Sequence, residues 1–96
     1  MMSERYLDIK GYKGQYLVSE YGKVWTTAGA CGKSIGTLSE ENGREYVYLW
    51  VSGRREKRYV DELVAEAFIN KPLDKNILIH KDGNLRNSYR KNLWYV

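Results

Sequence analysis

Residues 76–96 read NILIHKDGNLRNSYRKNLWYV and contain the one histidine of the chain, His80. Three β-forming residues at positions 77–79 lead into His80, and a second short apolar run closes the segment at positions 93–96. Between these runs, residues 82–84 (Asp-Gly-Asn) form a turn signal, because they tolerate the left-handed backbone of a tight loop. The segment therefore predicts two short strands, with a histidine at the end of the first.

The length of 96 residues predicts one small domain. The single cysteine, Cys31, excludes an internal disulfide, and no group of Cys and His residues has zinc-ligand spacing. No apolar run is long enough to cross a bilayer, and no signal peptide is visible. We therefore expect a soluble cytoplasmic protein that does not act at a membrane.

The formal net charge of +4 is unevenly distributed along the chain. Residues 1–48 contain 6 Lys/Arg and 6 Asp/Glu, whereas residues 49–96 contain 10 and 6. The whole basic excess therefore lies in the second half, which fits contact with nucleic acid. An ordinary solvated surface also carries an excess of this size, so the charge alone leaves both interpretations open.

A strand–turn–strand pattern is predicted twice before residue 60. Residues 16–19 and 23–26 are short strand candidates with a turn at residues 20–22. Residues 46–51 and 54–59 form the clearest hairpin, which turns at Ser52-Gly53. The returning strand contains four cations that either contact a DNA backbone or are solvated at the hairpin tip: Arg54, Arg55, Lys57 and Arg58. Two further features are a strand candidate at residues 35–38 and a turn at residues 41–43.

One helix is predicted over residues 61–69. Asp61 is a good N-cap residue, and the segment ends before Pro72. Four apolar residues recur at helical spacing and form one face, namely Leu63, Val64, Ala67 and Phe68.

Almost the whole chain, from about residue 7 to residue 96, resembles the phage HNH homing endonucleases. LDIKGYKGQYLVSEYGKVW (7–25) resembles their N-terminal module with the pattern G-Y-x-G-x-Y-x-V-S-x-x-G-x-V. YVDELVAEAFINKP (59–72) resembles V-H-R-L-V-A-x-A-F-I-x-x-P, with Asp61-Glu62 in place of His-Arg. The resemblance implies an α+β fold of small antiparallel strands, one central helix and a truncated ββα-metal motif that lacks its final helix. We expect one domain over 1–96, with an N-terminal strand module (1–27) and an HNH-like region (46–96).

The resemblance also implies the roles of the site residues. His80 matches the general base that activates water, and Asn92 matches the asparagine that orients it. The family holds a divalent ion with a carboxylate or amide just before the histidine, where this chain has Ile79, and with a residue on a later helix. We therefore expect no metal ligand and no cofactor, and Mg²⁺ or Mn²⁺ only if the protein is active.

The first hypothesis is that the chain is a degenerate HNH-like protein of a phage or mobile element, which binds a macromolecule without cutting DNA. Its partner is DNA or a host or rival protein, and the candidate contacts are Arg54, Arg55, Lys57, Arg58, Arg86, Arg90 and Lys91. Negative charge at Asp61-Glu62 is expected to repel DNA, whereas the three tryptophans favour a protein surface. A binding protein that selects a DNA sequence is a variant of this reading.

The alternative is an active HNH nickase with a rearranged metal site. In that reading Asp61 or Asp82 supplies a ligand, or a homodimer shares one between its subunits.

Overall fold

The computed structural model describes residues 5–27 and 32–96, so Cys31 lies outside the described residues. The elements, in chain order, are β1 (Tyr6–Asp8), β2 (Tyr16–Ser19), β3 (Val24–Thr26), β4 (Lys33–Ile35), β5 (Leu38–Ser39), β6 (Glu45–Val51), β7 (Arg54–Tyr59), α1 (Val60–Phe68), β8 (Leu78–His80), a single 3-10 turn (Arg90–Asn92) and β9 (Leu93–Tyr95). The predicted α+β class is confirmed. No helix within the described ranges is long and apolar enough to cross a membrane.

Three antiparallel sheets surround the helix α1. The strands of the first sheet have the order β1-β2-β3-β4, those of the second have the order β5-β6-β7, and β8 pairs with β9 in a two-stranded ribbon. Helix α1 packs against β1, β2, β6 and β7, and the 3-10 turn that precedes β9 also contacts it. One short helix therefore joins all three sheets, which is how residues distant in sequence reach the neighbourhood of His80.

The core follows from the alternation of side chains along β6. Val47 and Leu49 are almost fully buried, whereas Trp50 is 56 % exposed. Because successive side chains of a strand point to opposite faces, the odd-numbered positions of β6 face α1. Leu63 and Val64 of α1 are buried against them, as the predicted helix face requires. Apolar burial at this contact, at about 25 cal/mol per Å² removed from water, holds the second sheet to the helix.

Gly22 brings the β2–β3 turn close to the start of α1. Its φ of +89° is in the left-handed region, and a Cβ built there would lie 2.9 Å from Cγ1 of Val60. The Ser19 hydroxyl accepts hydrogen bonds from the backbone N–H groups of Tyr21 and Lys23, at 3.2 and 3.1 Å. The predicted turn at residues 20–22 is therefore confirmed, and glycine is needed there for both backbone and space.

The start of α1 differs from the prediction. The helix begins at Val60, its N-cap is Tyr59, and no side chain caps it. Asp61 is buried within the first turn, and Glu62 donates its backbone N–H to it at 2.7 Å. The predicted capping role of Asp61 is wrong, because its carboxylate is bound by other parts of the protein.

The segment that links the first two sheets also differs. Residues 35–38 were expected to form one strand, but β4 ends at Ile35 and β5 begins at Leu38 in another sheet. The chain changes sheets at Gly36 and Thr37, and a single-strand pattern does not show such a change. Strand β1 was not predicted either, because it has only three residues and pairs on one side with β2.

Candidate functional site

His80 is the last residue of β8, and its side chain turns inward. Along β8, Leu78 and His80 face the protein while Ile79 faces out and is 39 % exposed. Only 3 % of the His80 side chain is accessible. The alternation of the strand therefore buries the imidazole and places the residue before it on the opposite face.

Both ring nitrogens of His80 contact protein oxygens. Nδ1 lies 2.9 Å from the backbone carbonyl oxygen of Asn87, and Nε2 lies 3.0 Å from Oδ2 of Asp61. A carbonyl oxygen only accepts, so Nδ1 carries a hydrogen and donates it. The hydrogen of the second contact lies between Nε2 and the Asp61 carboxylate, whichever of the two groups donates it. In either arrangement, no lone pair of the ring faces solvent.

Asp61 lies between His80 and Arg44. Nε and Nη2 of Arg44 donate to Oδ2 and Oδ1 of Asp61, both at 3.0 Å, in the bidentate geometry of a strong guanidinium–carboxylate pair. Nη2 also donates to Glu62 at 3.2 Å, and the guanidinium stacks over the ring of Tyr59 at 3.6 Å. Burial by itself lowers the pKa of Arg44, but the Asp61 hydrogen bonds and the Asp61 and Glu62 charges raise it above its ordinary value. Arg44 is therefore a permanent cation beside Asp61.

The expected repulsion between the Asp61-Glu62 pair and DNA stays a prediction, and the two carboxylates differ in exposure, since the Glu62 side chain is 47 % accessible. Only 4 % of the Asp61 side chain is accessible, and it faces a bound guanidinium and an imidazole rather than solvent. Sequence reasoning missed this network. A signal was present, because Asp61 stands three and four residues before Val64 and Ala65, which are both fully buried. That spacing puts Asp61 on the buried stripe of the helix.

Asn92 acts on His80 through a shared acceptor. Its Nδ2 donates to the Asn87 carbonyl and to Oδ1 of Asp82, both at 2.9 Å, while its Oδ1 accepts the backbone N–H of Asp82 at 3.1 Å. The carbonyl of Asn87 is the same oxygen that His80 Nδ1 contacts. Asn92 therefore fixes the position of the oxygen that orients the ring.

Asp82 closes this turn with its carboxylate. Asn87 Nδ2 donates to Oδ2 at 2.9 Å, and the backbone N–H of Asn84 donates to Oδ1 at 2.8 Å. These hydrogen bonds, first that of Asn87, then those of Asn84 and Asn92, lower the pKa of Asp82 below its ordinary value. The Asp-Gly-Asn segment is thus a turn, as predicted, and both oxygens of Asp82 have partners.

The described residues near His80 do not fit a divalent metal ion. Ile79 has no lone pair and lies opposite Trp94 on the outer face of the ribbon. The oxygens of Asp61 and Asp82 are already bound by N–H groups. Within residues 5–27 and 32–96, no group of three or more His, Cys, Asp or Glu side chains is placed to hold a metal.

The predicted binding cations are not equivalent. Arg55 and Lys57 pair across β6–β7 with Trp50 and Tyr48 on the outer face of the sheet. Four of the seven form ion pairs: Arg54 with Glu56, Lys57 with Glu40, Arg58 with Glu66, and Arg90 with Glu20 at 3.7 Å. Among the described residues no carboxylate pairs with the other three, Arg55, Arg86 and Lys91, so these three are the most available for a phosphate.

An open cleft of about 590 Å³ lies next to the buried network. Asp61, Glu62 and Glu66 of α1 line one side, and His80 and Tyr95 of the ribbon line the other. Burial, followed by the charges of these three carboxylates, raises the pKa of Tyr95 above its ordinary value. The cleft is therefore lined by three carboxylates and by two cations, Arg44 and Lys71, and the Tyr95 phenol keeps its proton there.

A two-stranded ribbon with an inward histidine, and an asparagine that binds the carbonyl facing the ring, corresponds to the ββ part of an HNH endonuclease-like motif. Over 89 residues, 93 % of its length, the chain is 34 % identical to the DNA endonuclease I-HmuI of Bacillus phage SP01. It also matches a solved structure of that HNH homing endonuclease, described as binding and cleaving DNA, with a TM-score of 0.85 and 32 % identity over 96 % of the chain.

The chain is therefore homologous to a phage HNH homing endonuclease and has an HNH endonuclease-like fold, as the sequence resemblance predicted. It spans about half the length of the curated relative, 50 % of that protein and 52 % of the solved chain. No protein-family model matches the sequence.

Proposed function

We propose that this chain is a DNA-binding HNH-like protein of a phage or mobile element in which His80 does not act as a general base. The observation that carries the proposal is the position of the His80 ring, whose two nitrogens face the Asn87 carbonyl and the Asp61 carboxylate. A general base needs a free lone pair within hydrogen-bond reach of the water that it deprotonates. In this arrangement the ring has no such lone pair.

The network around His80 strengthens the proposal. A ring rotation that frees Nε2 has to break its contact with Asp61, which Arg44 holds with two hydrogen bonds. Arg44 would still hold Asp61, so the cost is that of a buried hydrogen-bonding group that loses one partner, about 1–3 kcal/mol. The position where the family holds its metal is Ile79, and the two nearby aspartates are already satisfied by N–H donors. These features together support a protein that binds rather than cuts.

DNA is the partner that the charges favour. The relative with the matching fold is a DNA endonuclease, and this chain has a net charge of +4 with Arg55, Arg86 and Lys91 available among the described residues. Cations of this kind bind phosphates without regard to sequence, and their affinity falls with salt. The protein then works in the cytoplasm of a bacterial host, where its target DNA lies. Binding to a host or rival protein instead predicts no DNA retention at low salt.

A nicking assay tests the absence of cleavage. Supercoiled plasmid is incubated with the wild-type chain and with His80→Ala, in Mg²⁺ and in Mn²⁺, while a gel shift on the same DNA records binding. We expect retarded DNA that is released by added salt, and no nicked circles above the buffer control. Nicking that His80→Ala abolishes overturns the proposal, whereas nicking that persists in His80→Ala comes from a contaminating nuclease.

One observation favours the alternative, an active nickase with a rearranged metal site. The cleft beside His80 is lined by carboxylates, including Asp61 and Glu62. If these residues recruit a metal, alone or with a second subunit, Mn²⁺ binds the wild-type chain in calorimetry and Glu62→Gln weakens it. A chain that neither binds Mn²⁺ nor nicks DNA at high protein concentration excludes this alternative and its dimeric form.

A further inference from the structure

The outer face of the β6–β7 hairpin is a ladder of aromatic rings and cations. Tyr46, Tyr48 and Trp50 alternate along β6, and the residues opposite them on β7 are Tyr59, Lys57 and Arg55. Along most of the ladder, the cations already have partners within the protein. Lys57 lies over the Tyr46 ring at 4.2 Å and donates to Glu40 at 2.7 Å, so its charge is already compensated.

The tip of the ladder is different, because Trp50 and Arg55 have free surfaces. Trp50 is 56 % exposed, and the guanidinium of Arg55, the residue opposite it, lies over the neighbouring ring of Tyr48 at 4.0 Å. A guanidinium stacked on an aromatic ring keeps its in-plane N–H donors free for a phosphate. The described residues place no carboxylate against Arg55, since Glu56 pairs with Arg54 and Tyr12. An open aromatic surface therefore lies beside an uncompensated cation.

The tip is also rigid. The backbone N–H of Trp50 donates to the phenol oxygen of Tyr16 at 3.0 Å, and this phenol belongs to a buried residue of β2. Ser52 and Gly53 turn the chain with φ values of +50° and +79°, which is the tight two-residue connection of a hairpin. The backbone that carries Trp50 and Arg55 is therefore fixed by the fold, which lowers the entropic cost of binding.

We propose that Trp50 and Arg55 form a subsite for one unpaired nucleotide of single-stranded DNA, with the base stacked on the indole and its phosphate on the guanidinium. The inference rests on the proposed DNA-binding function and deepens it. Stacking on an aromatic side chain binds any base and needs an exposed base face. In a duplex the base faces are covered by their neighbours and only the edges are open.

The spacing along β6 supports a single strand. Outward residues such as Tyr48 and Trp50 repeat about every 6.7 Å, roughly twice the 3.4 Å rise of stacked bases. The Arg55 guanidinium covers the Tyr48 ring, so this end of the face offers one open ring, the Trp50 indole, and one stacking position for a base. The charge of Arg55, which is unpaired among the described residues, is complementary to the phosphate of such a nucleotide.

Fluorescence anisotropy with labelled oligodeoxythymidine, at low salt, tests the inference. We expect Trp50→Leu to weaken binding at least about fivefold, the lower end of the effect of one stacked base. Trp94→Leu is the matched control, since Trp94 is 50 % exposed on the ribbon, and it is expected to change affinity by less than about twofold. Arg55→Gln is expected to weaken binding more than Arg54→Gln, because Arg54 is paired with Glu56.

Two further probes separate this inference from general DNA binding. An abasic oligonucleotide of equal length is expected to bind the wild-type chain about fivefold more weakly than oligodeoxythymidine, and Trp50→Leu is expected to remove that difference. Duplex DNA is expected to bind wild type and Trp50→Leu equally. Three results would overturn the subsite alone. They are equal losses of affinity in Trp50→Leu and Trp94→Leu, a loss of affinity in Trp50→Leu that is equal on duplex and single-stranded DNA, and unchanged affinity in Trp50→Leu. A wild-type chain that binds neither form of DNA overturns both the subsite and the proposed function.

Discussion

His80 Nε2 lies 3.0 Å from Oδ2 of Asp61, although nineteen residues separate the two in sequence. Asp61 stands where the related nucleases have the His of a His-Arg pair, and Arg44 binds the same carboxylate from the start of the second sheet. The three residues form a buried cation–carboxylate–imidazole network that joins β8, α1 and the β5–β6 turn.

Asp61→Asn removes the carboxylate that both Arg44 and His80 face. We expect it to lower the free energy of unfolding by about 2–4 kcal/mol, somewhat less than a fully buried pair loses, because the Arg44 side chain is 28 % accessible and water screens it. Urea unfolding followed by circular dichroism measures the change. Glu62→Gln is the matched control on the same helix turn, since Glu62 is 47 % accessible and is expected to cost less than about 1 kcal/mol. Equal effects of the two substitutions would show that the buried network adds no stability of its own.

Asn92→Asp replaces the amide donor at the centre of the turn after β8 with a carboxylate oxygen, which only accepts hydrogen bonds. Nδ2 of Asn92 donates to the Asp82 carboxylate and to the Asn87 carbonyl, so an aspartate there faces two acceptors with no hydrogen to give. We expect a loss of about 2–4 kcal/mol in unfolding free energy from the lost hydrogen bonds and like-charge repulsion. Asn84→Asp is the control, because the Asn84 side chain only accepts, from the backbone N–H of Arg86, and aspartate does the same. If Asn92→Asp is as stable as Asn84→Asp, the shared carbonyl does not depend on Asn92.

The Asp82 carboxylate predicts part of the acid sensitivity of the fold. Its pKa is lowered in the folded chain by the hydrogen bonds from Asn87, Asn84 and Asn92. A lowered folded pKa stabilises the protein above the unfolded pKa, near the ordinary value of 3.8, and this contribution is lost as the pH falls through the folded pKa. Asp82→Asn is therefore expected to lower the unfolding temperature at about pH 7 and to approach the wild type at about pH 3. A gap between the two melting curves that stays constant across this range contradicts the assignment.

The ion pairs of the surface cations predict which of these cations contribute to DNA binding. Lys91 is exposed without a carboxylate partner among the described residues, whereas Arg58 is bound to Glu66 and contacts the Tyr12 phenol. Lys91→Gln is expected to reduce the slope of log K against log salt by about 0.9, the contribution of one phosphate contact. Arg58→Gln removes the same charge and is expected to leave the slope unchanged. Salt titrations of duplex binding on both variants, each checked for its fold by circular dichroism, decide the point, and equal slopes in the two would reject the distinction.

Local patterns predicted most elements, because short-range signals determined them. The hairpin of β6 and β7 with its Ser52-Gly53 turn, the helix α1, and the ribbon that carries His80 lie within a few residues of where they were expected. The strand proposed at residues 35–38 was wrong because two sheets share that segment, and sheet membership depends on partners distant in sequence.

The candidate site was only half predictable for the same reason. His80 and Asn92 lie in one short segment, and its resemblance to the HNH motif is enough to single them out from the sequence. Arg44 and Asp61 reach His80 only when α1 packs between the sheets, so their roles depend on tertiary contacts. Sequence reasoning considered Asp61 as an N-cap, as part of a negative pair and as a possible metal ligand, without placing it on the buried stripe of the helix.

Gly22 tests whether α1 depends on the close approach of the β2–β3 turn. Gly22→Ala is expected to cost about 1–2 kcal/mol for the left-handed backbone and about 1–3 kcal/mol more for the contact of its Cβ with Val60, 2.9 Å away. Gly11→Ala is matched in backbone, with φ of +92° and no heavy atom within 4 Å of its Cβ, so it carries only the first cost. The difference between the two unfolding free energies isolates the packing of the turn on the helix.

Because Val60 is next to Asp61, a shift of the helix start in Gly22→Ala also moves the carboxylate that contacts His80. NMR chemical shifts of the His80 ring are therefore expected to change in Gly22→Ala and to stay as in the wild type in Gly11→Ala. Equal ring shifts in the two variants would show that the β2–β3 turn does not affect the surroundings of His80.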